Sequence, residues 1–249
     1  SRGAGEASAL FHFLLRERAS LSQLDYLQDS TRVLDSPTVN RLLQDLQELL
    51  RHKPVQHLTG TAPFLDFSLR VSGDVLIPRP ETEELILRIL ALTKDRSPRN
   101  ILDIGTGSGC LAIALARAFP DAEVVGLDVS AKALKLARIN GEMLAPQISW
   151  QQADVLDSSQ VPCRNWDLIV SNPPYVRPSE GGEMAIEVKD HEPQEALFVP
   201  SEDRLLFYRV IGAYASKYML PGGLLALELN QFLAQSILEL LPDSSGETW

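Results

Sequence analysis

An α/β fold is what this sequence predicts, and three observations carry the prediction. From residue 100 onward short apolar runs alternate with helix-patterned stretches, a glycine-rich turn follows the first run, and polar residues stand where the strands stop. Strands are expected at 100–104, 123–129, 148–153, 166–171 and 224–229, and helices at 110–119, 131–141 and 205–218, with a turn at Pro221-Gly222-Gly223. Short apolar strands separated by helices imply a mostly parallel, Rossmann-like sheet covered on both faces.

The residues before this pattern read differently. Over 6–53 leucines recur at three- and four-residue steps (Leu10, Phe13, Leu14; Leu24, Leu27; Leu42, Leu43, Leu46, Leu49, Leu50), the period of a helical bundle. Asp35-Ser36-Pro37 breaks the run, with Ser36 as the expected N-cap and Pro37 in the first turn. Phe64, Phe67, Leu69 and Val71, followed by the turn signal Ser72-Gly73-Asp74, predict a β-hairpin. Pro78 and Pro80 flank Arg79 in a stiff extended stretch, and a helix is expected to start near Glu81, whose charge suits its first turn. Three segments follow: a helical module over 1–60, a linking hairpin over 61–80 and an α/β domain over 81–249.

Composition narrows the function. The chain has 249 residues, 45% hydrophobic and 22% charged, a globular balance that excludes a disordered or disulfide-stapled chain. No uninterrupted apolar stretch reaches the roughly 18 residues of a membrane span. The formal charge of -10 falls in residues 81–249, since residues 1–80 balance 9 basic against 9 acidic side chains. An acidic domain is a poor coat for nucleic acid, whose phosphates want Lys and Arg. Cys110 and Cys163 lack the spacing of metal ligands and are expected to be small buried hydrophobes in a reducing intracellular compartment. The chain opens on Ser1 without a Met, as a processed form would.

Three clusters carry chemistry. Asp103-Ile104-Gly105-Thr106-Gly107-Ser108-Gly109 links the first strand to its helix, where glycines permit a tight turn and close ligand approach and the helix N-terminus offers free N–H groups. It lacks the Lys-Ser/Thr ending of a P-loop. Asp128 ends the second strand, where a carboxylate can accept both hydroxyls of a ribose, a feature that suits NAD as well as S-adenosylmethionine. Asp154 ends the third strand, within reach of an adenine edge. Asn172-Pro173-Pro174-Tyr175 follows the fourth strand. Two prolines stiffen that turn, so the Asn oxygen and a proline carbonyl can both accept from one NH2 group while the aromatic ring stacks on its plane.

The pair DxGxGxG and NPPY resembles the class I S-adenosylmethionine-dependent methyltransferases that act on planar nitrogens. His57-Leu58-Thr59-Gly60 with Phe64, the run Leu76 to Glu83, and Glu192-Pro193-Gln194-Glu195-Ala196-Leu197 resemble segments of the HemK/PrmC family over roughly residues 10–230. That resemblance implies a methyltransferase acting on the GGQ glutamine of peptide-chain release factors, with S-adenosylmethionine as cofactor, and points to the mitochondrial member, in the matrix. It implies that Gly105, Thr106, Gly107, Ser108 and Gly109 line the methionine end of the cofactor and that Asp103 orients its amino group. Asp128 would hold the ribose, and Asp154 and Val155 would flank the adenine. Asn172, Pro173, Pro174 and Tyr175 would hold the substrate amide, with Asn172, Pro173 and Tyr175 catalytic and Asn172 also beside the cofactor. Arg79 and Thr82 would touch the cofactor pocket. The helical module would dock the substrate.

Two further expectations follow. Glu180, Glu183, Glu187, Asp190, Glu192 and Glu195 against Lys189 alone would form an acidic rim that attracts a basic substrate surface. The class I sheet has seven strands, yet only about 20 residues follow Leu229, so the last two strands are expected to be missing and the C-terminus shortened or altered. A catalytically silent form is then one alternative. A DNA or RNA adenine methyltransferase is another, and would need a basic face.

Overall fold

The structure is a computed structural model that describes residues 3–29, 31–182 and 185–241. The chain divides into two units: Ser1–Thr61 with Ala185–His191, and Ala62–Met184 with Glu192–Trp249. Glu183 and the tail from Pro242 to Trp249, both part of the sequence reading, lie outside the described residues.

The first unit is helical: α1 (Ala4–Ala19), α2 (Gln23–Gln28), α3 (Ser36–Leu50), α4 (Val55–Thr59) and, from later in the chain, α8 (Ile186–His191). Its core is a leucine cluster of Leu14, Leu15, Leu21, Leu42, Leu49 and Leu58. Asp35, not Ser36, caps α3: its side chain accepts from the Thr38 N–H and Ser36 is already helical. One residue upstream is where a carboxylate reaches the third amide of the helix. Arg18 reaches from α1 to the buried Asp45 of α3 at 2.7 Å and also donates to the Leu58 carbonyl of α4. A carboxylate that is 2% exposed requires such a partner, because an unpaired buried charge costs several kcal/mol.

The second unit opens with the expected hairpin, β1 (Thr61–Phe64) and β2 (Phe67–Arg70), paired with each other. Then come α5 (Pro80–Leu92), β3 (Asn100–Ile104), α6 (Cys110–Ala118), β4 (Glu123–Asp128), α7 (Ala131–Leu144), β5 (Ser149–Gln152), β6 (Trp166–Ser171), α9 (Gln194–Leu197), α10 (Leu206–Tyr218), β7 (Met219–Leu227) and α11 (Ala234–Leu240). The five long-range strands form one parallel sheet in the order β5-β4-β3-β6-β7. Among the described residues no strand follows Leu227. The Pro221-Gly222-Gly223 turn forms no break before the last strand. It lies inside β7, which begins at Met219, and the pairing with β6 skips register between Trp166 and Leu168 to absorb the extra residues.

Strand parity sorts the core into two faces. Ile101 and Val170 pack with α5 and α6, while Leu102, Ile104, Leu127 and Ile169 pack with α10. Strand order places the site. The chain runs from β3 outward through β4 and β5, then returns to β6 on the other side of β3, so the carboxyl ends of β3 and β6 flank the switch point where open α/β sheets bind ligands. Ile104 pairs with both Leu127 and Ser171, which brings Gly105, Asp128 and Asn172 to one edge.

Candidate active site

The glycine-rich loop is fastened to its neighbour strand. Gly105 and Thr106 N–H groups both donate to the Leu127 carbonyl, and Gly107 N–H donates to Asp128 Oδ2 at 2.8 Å. Gly105 and Gly107 hold φ of +73° and +55°, and neither Cβ position meets another atom closer than 4.0 Å. The loop therefore needs glycine there for its backbone and leaves open space where a ligand can approach. Asp128 takes a second N–H, from Ser130, on Oδ1 at 2.9 Å. Each carboxylate oxygen is thus fixed by one backbone amide and keeps a lone pair for a further donor. Burial raises the Asp128 pKa while these amide donors oppose the rise.

Asp103 turns the other way. Residue parity puts it on the Ile101 face, where Oδ2 accepts from Thr106 Oγ1 at 2.5 Å and from the Ala112 N–H at 3.1 Å. Its Oδ1 is buried with no hydrogen-bond partner among the described residues. Burial pushes its carboxyl up to about 7, against the hydrogen bonds from Thr106 and Ala112, with the charge of Asp128 adding to the rise.

Asn172 leaves the end of β6. Its Nδ2 lies 3.5 Å from Thr82 Oγ1 in the first turn of α5, and that hydroxyl donates to Glu228 Oε2 at 2.7 Å. Burial raises the Glu228 pKa, hydrogen bonds from Thr82 and Asn172 lower it, and Glu81 and Arg79 push it up and down respectively. The backbone holds the same neighbourhood together, with Glu228 N–H donating to the Ser171 carbonyl and Tyr208 Oη to the Glu228 carbonyl.

The glycine loop, Asp128, Asn172 and Thr82 meet at a cavity of about 410 Å³ within the second unit. Gly105, Thr106, Gly107, Ser108, Asp128, Asp154, Val155, Asn172, Pro173, Pro174 and Thr82 all line it. Four expected residues do not. Asp103 stands behind the loop, as its parity requires. Gly109 is the N-cap of α6 at a φ of +86°, and its Cβ position lies 2.9 Å from the Trp150 ring, so backbone conformation and close packing account for glycine there. Tyr175 packs against the Tyr208, Leu233 and Ile237 cluster. Arg79 pairs with the buried Glu192 at 2.6 Å. Asp154 uses one oxygen to accept from the Leu156 N–H.

Part of the acidic rim is spent on local pairing. Glu180 pairs with Arg177 and Arg204, Glu187 with His52, and Glu192 with Arg79. Nor are both cysteines buried: Cys110 is half-buried at the cavity and Cys163 is exposed. Sequence reasoning did not single out Phe198 and Phe207 of the cavity wall, or Trp150 behind the loop. Each is one aromatic without a repeating neighbour, so nothing in the sequence shows which surface it serves.

A parallel sheet with a glycine loop on its first strand and NPPY after its fourth defines a class I methyltransferase. The family model "Methyltransferase small domain" matches residues 82–191, and "PrmC N-terminal domain" matches residues 1–60. A release factor glutamine methyltransferase of Bacteroides thetaiotaomicron is 39% identical over 236 residues, 95% of this chain and 84% of that protein. Its counterpart in Flavobacterium psychrophilum is 38% identical over 239 residues, again 95% and 84%. The chain belongs to the release factor glutamine methyltransferase family. A solved 16S rRNA N2 G1207 methyltransferase of Thermus thermophilus, in complex with AdoMet and guanosine, matches 72% of this chain and 44% of its own at a TM-score of 0.50 and 21% identity, a likeness of fold.

Proposed function

We propose that this chain transfers a methyl group from S-adenosylmethionine to the side-chain amide nitrogen (N5) of the glutamine in a release factor's GGQ loop. The observation that carries the reading is that Asn172, Pro173 and Pro174 line the same cavity as the glycine loop and Asp128. The cofactor's residues fit the group it would need: open space over Gly105 and Gly107, and a carboxylate at Asp128 already oriented by two amides.

Bound there, S-adenosylmethionine supplies a methyl on a sulfonium centre. The chain's own task is to present the nucleophile. An amide nitrogen is weak because its lone pair is delocalised into the carbonyl. Asn172 Oδ1 and the Pro173 carbonyl, accepting one N–H each, would hold the NH2 plane and leave its free face for attack. Two acceptors reject an ester or a hydroxyl substrate, whose donors do not match. Orientation of this kind supplies about 7–11 kcal/mol in favourable cases. Val155, Phe198 and Phe207 give the cavity apolar walls, which would limit water around the reacting groups.

The helical unit would dock the release factor: Val39, Leu43, Leu46 and Leu50 share one exposed face of α3, beside the stripe of the buried Leu42 and Leu49. The mitochondrial matrix, implied by the resemblance, stays part of the proposal and is tested by fractionating cells that express the tagged protein.

The deciding experiment gives the chain labelled S-adenosylmethionine and a release factor and maps the methylated residue. Label on the GGQ glutamine, lost in Asn172→Ala while cofactor binding persists, is expected. Label on nucleic acid, or full activity in Asn172→Ala, overturns the reading.

A further inference from the structure

We infer that Glu228 and Thr82 form a positioning relay that fixes which end of the Asn172 amide meets the substrate; the inference rests on the proposed role of Asn172. An Asn side chain presents two nearly isosteric ends, one donating and one accepting. Only the accepting end can receive an N–H of the substrate amide. A 180° turn of the Asn172 group would oppose donor to donor and lose the substrate.

Nothing on Asn172 itself decides between the two ends; its neighbours do. Ionised, the Glu228 carboxylate can only accept. It takes the single proton of the Thr82 hydroxyl at 2.7 Å. With that proton committed, Thr82 Oγ1 has only lone pairs to offer, and what faces it from Asn172 is Nδ2, at 3.5 Å. Donation therefore runs from Asn172 through Thr82 to Glu228, and Oδ1 is left as the end that accepts from a ligand.

The relay is built from three separate parts of the chain. Thr82 is 2% exposed in the first turn of α5, Asn172 directly follows β6, and Glu228 directly follows β7. Glu228 is itself held by its backbone, through Ser171 and Tyr208. Other charges facing it are Glu81 and Arg79, at the start of α5, so a carboxylate at 228 sits between one repelling and one attracting group. The Pro80-Glu81-Thr82 segment thus has a reason to lie beside the site beyond linking hairpin to sheet: it delivers the hydroxyl that carries orientation from Glu228 to Asn172.

Two variants and one rescue test this. Thr82→Val removes the hydroxyl at nearly constant volume, and Glu228→Gln replaces an acceptor-only group with an amide that can also donate to Thr82, so the direction of the chain is no longer enforced. Each should lower kcat for methyl transfer by about tenfold or more, since misorientation at a reacting group is costly even when small. The Kd for S-adenosylmethionine should change little in Glu228→Gln, whose side chain does not line the cavity, and Thr82→Ser, which keeps the hydroxyl, should restore kcat. A second readout needs no substrate. In 15N-labelled protein the side-chain NH2 pair that vanishes in Asn172→Asp should exchange slowly in the wild type and faster in Thr82→Val and Glu228→Gln. Unchanged kcat in Glu228→Gln, failure of Thr82→Ser to recover, or equal exchange in all three proteins overturns the relay. If the wild type methylates no glutamine amide, the proposed function falls, and the exchange comparison still decides the relay by itself.

Discussion

Asp103 is where a single residue most constrains behaviour with pH. Its carboxyl is fully buried and pushed up to about 7, so the folded chain holds this proton more tightly than the unfolded chain does. A carboxylate whose folded pKa lies above its unfolded one favours folding most at low pH. Stability from this group falls as pH climbs from about 4 through 7. A rise from 3.8 to about 7 corresponds to at most about 4 kcal/mol. Asp128, Glu192 and Glu228 are also raised by burial and tilt the wild-type profile the same way. Asp103→Asn mimics the protonated acid and keeps an acceptor for Thr106 and Ala112. The ligand-free variant should lose less melting temperature than wild type between pH 5 and pH 8, which a pair of thermal scans at each pH measures. Parallel profiles would show that Asp103 stays ionised and solvated. The position of Asp103 at a strand end is plain in the sequence, and so is its place beside the glycine loop. Its direction is not, because that depends on which face of β3 the α6 helix covers, and no local pattern states this.

At the scale of elements, the glycine loop, β4 and α7 are joined through one ring. Trp150 of β5 lies in a slot whose walls are Gly109, Gly126 and Gly141: Cβ atoms built there would stand 2.9, 2.5 and 2.9 Å from the indole. Asn140 of α7 adds a polar tie, donating to the Ser108 carbonyl and pairing with both backbone groups of Arg70 in β2. Gly126→Ala should cost about 1–3 kcal/mol through overpacking against the ring, a fall in Tm of roughly 2–4 °C per kcal/mol in a protein of this size. If the ring is the cause, Gly126→Ala with Trp150→Phe should be less destabilised than the two single changes summed; additive losses would place the strain elsewhere, for instance on Thr106 Oγ1 at 3.0 Å. These elements also show what a sequence reveals. Asn100–Ile104 and Trp166–Ser171 form strands with the expected limits, because an apolar run bounded by a turn is a local signal. Gly126 and Gly141 sit inside a strand and a helix with nothing local to mark them, since their partner is a side chain distant in the sequence. Likewise Pro221-Gly222-Gly223 has turn chemistry, yet pairing with β6 carries it into β7 as an irregularity.

Across the whole molecule, charge is unevenly spread along the chain, and the apolar face of the helical unit predicts how kinetic constants separate. Residues 1–80 are electrically balanced while residues 81–249 hold the entire excess of -10. Within the acidic run expected to recruit substrate, Glu180 and Glu192 are paired with Arg177, Arg204 and Arg79, which lowers its free charge at short range. The helical unit offers apolar area instead. Leu43 is 53% and Leu50 82% exposed, seven residues apart on one face of α3. Seven residues are two helical turns, so a partner can cover both at once. Exposed side chains contribute little to the fold, and substitution there typically changes stability by within about 0.5 kcal/mol. Leu43→Glu with Leu50→Glu should therefore leave Tm and cofactor affinity near wild type. If this face binds the release factor, the double variant raises KM for the intact factor about tenfold for each ~1.4 kcal/mol by which binding weakens, with kcat held, because the cavity and Asn172 belong to the other unit. A short peptide carrying only the GGQ loop would lack the surface that α3 meets, so its KM should not respond. Equal loss with peptide and intact factor would mean that the substitutions reach the cavity, and no loss with either would leave the leucines without a docking role.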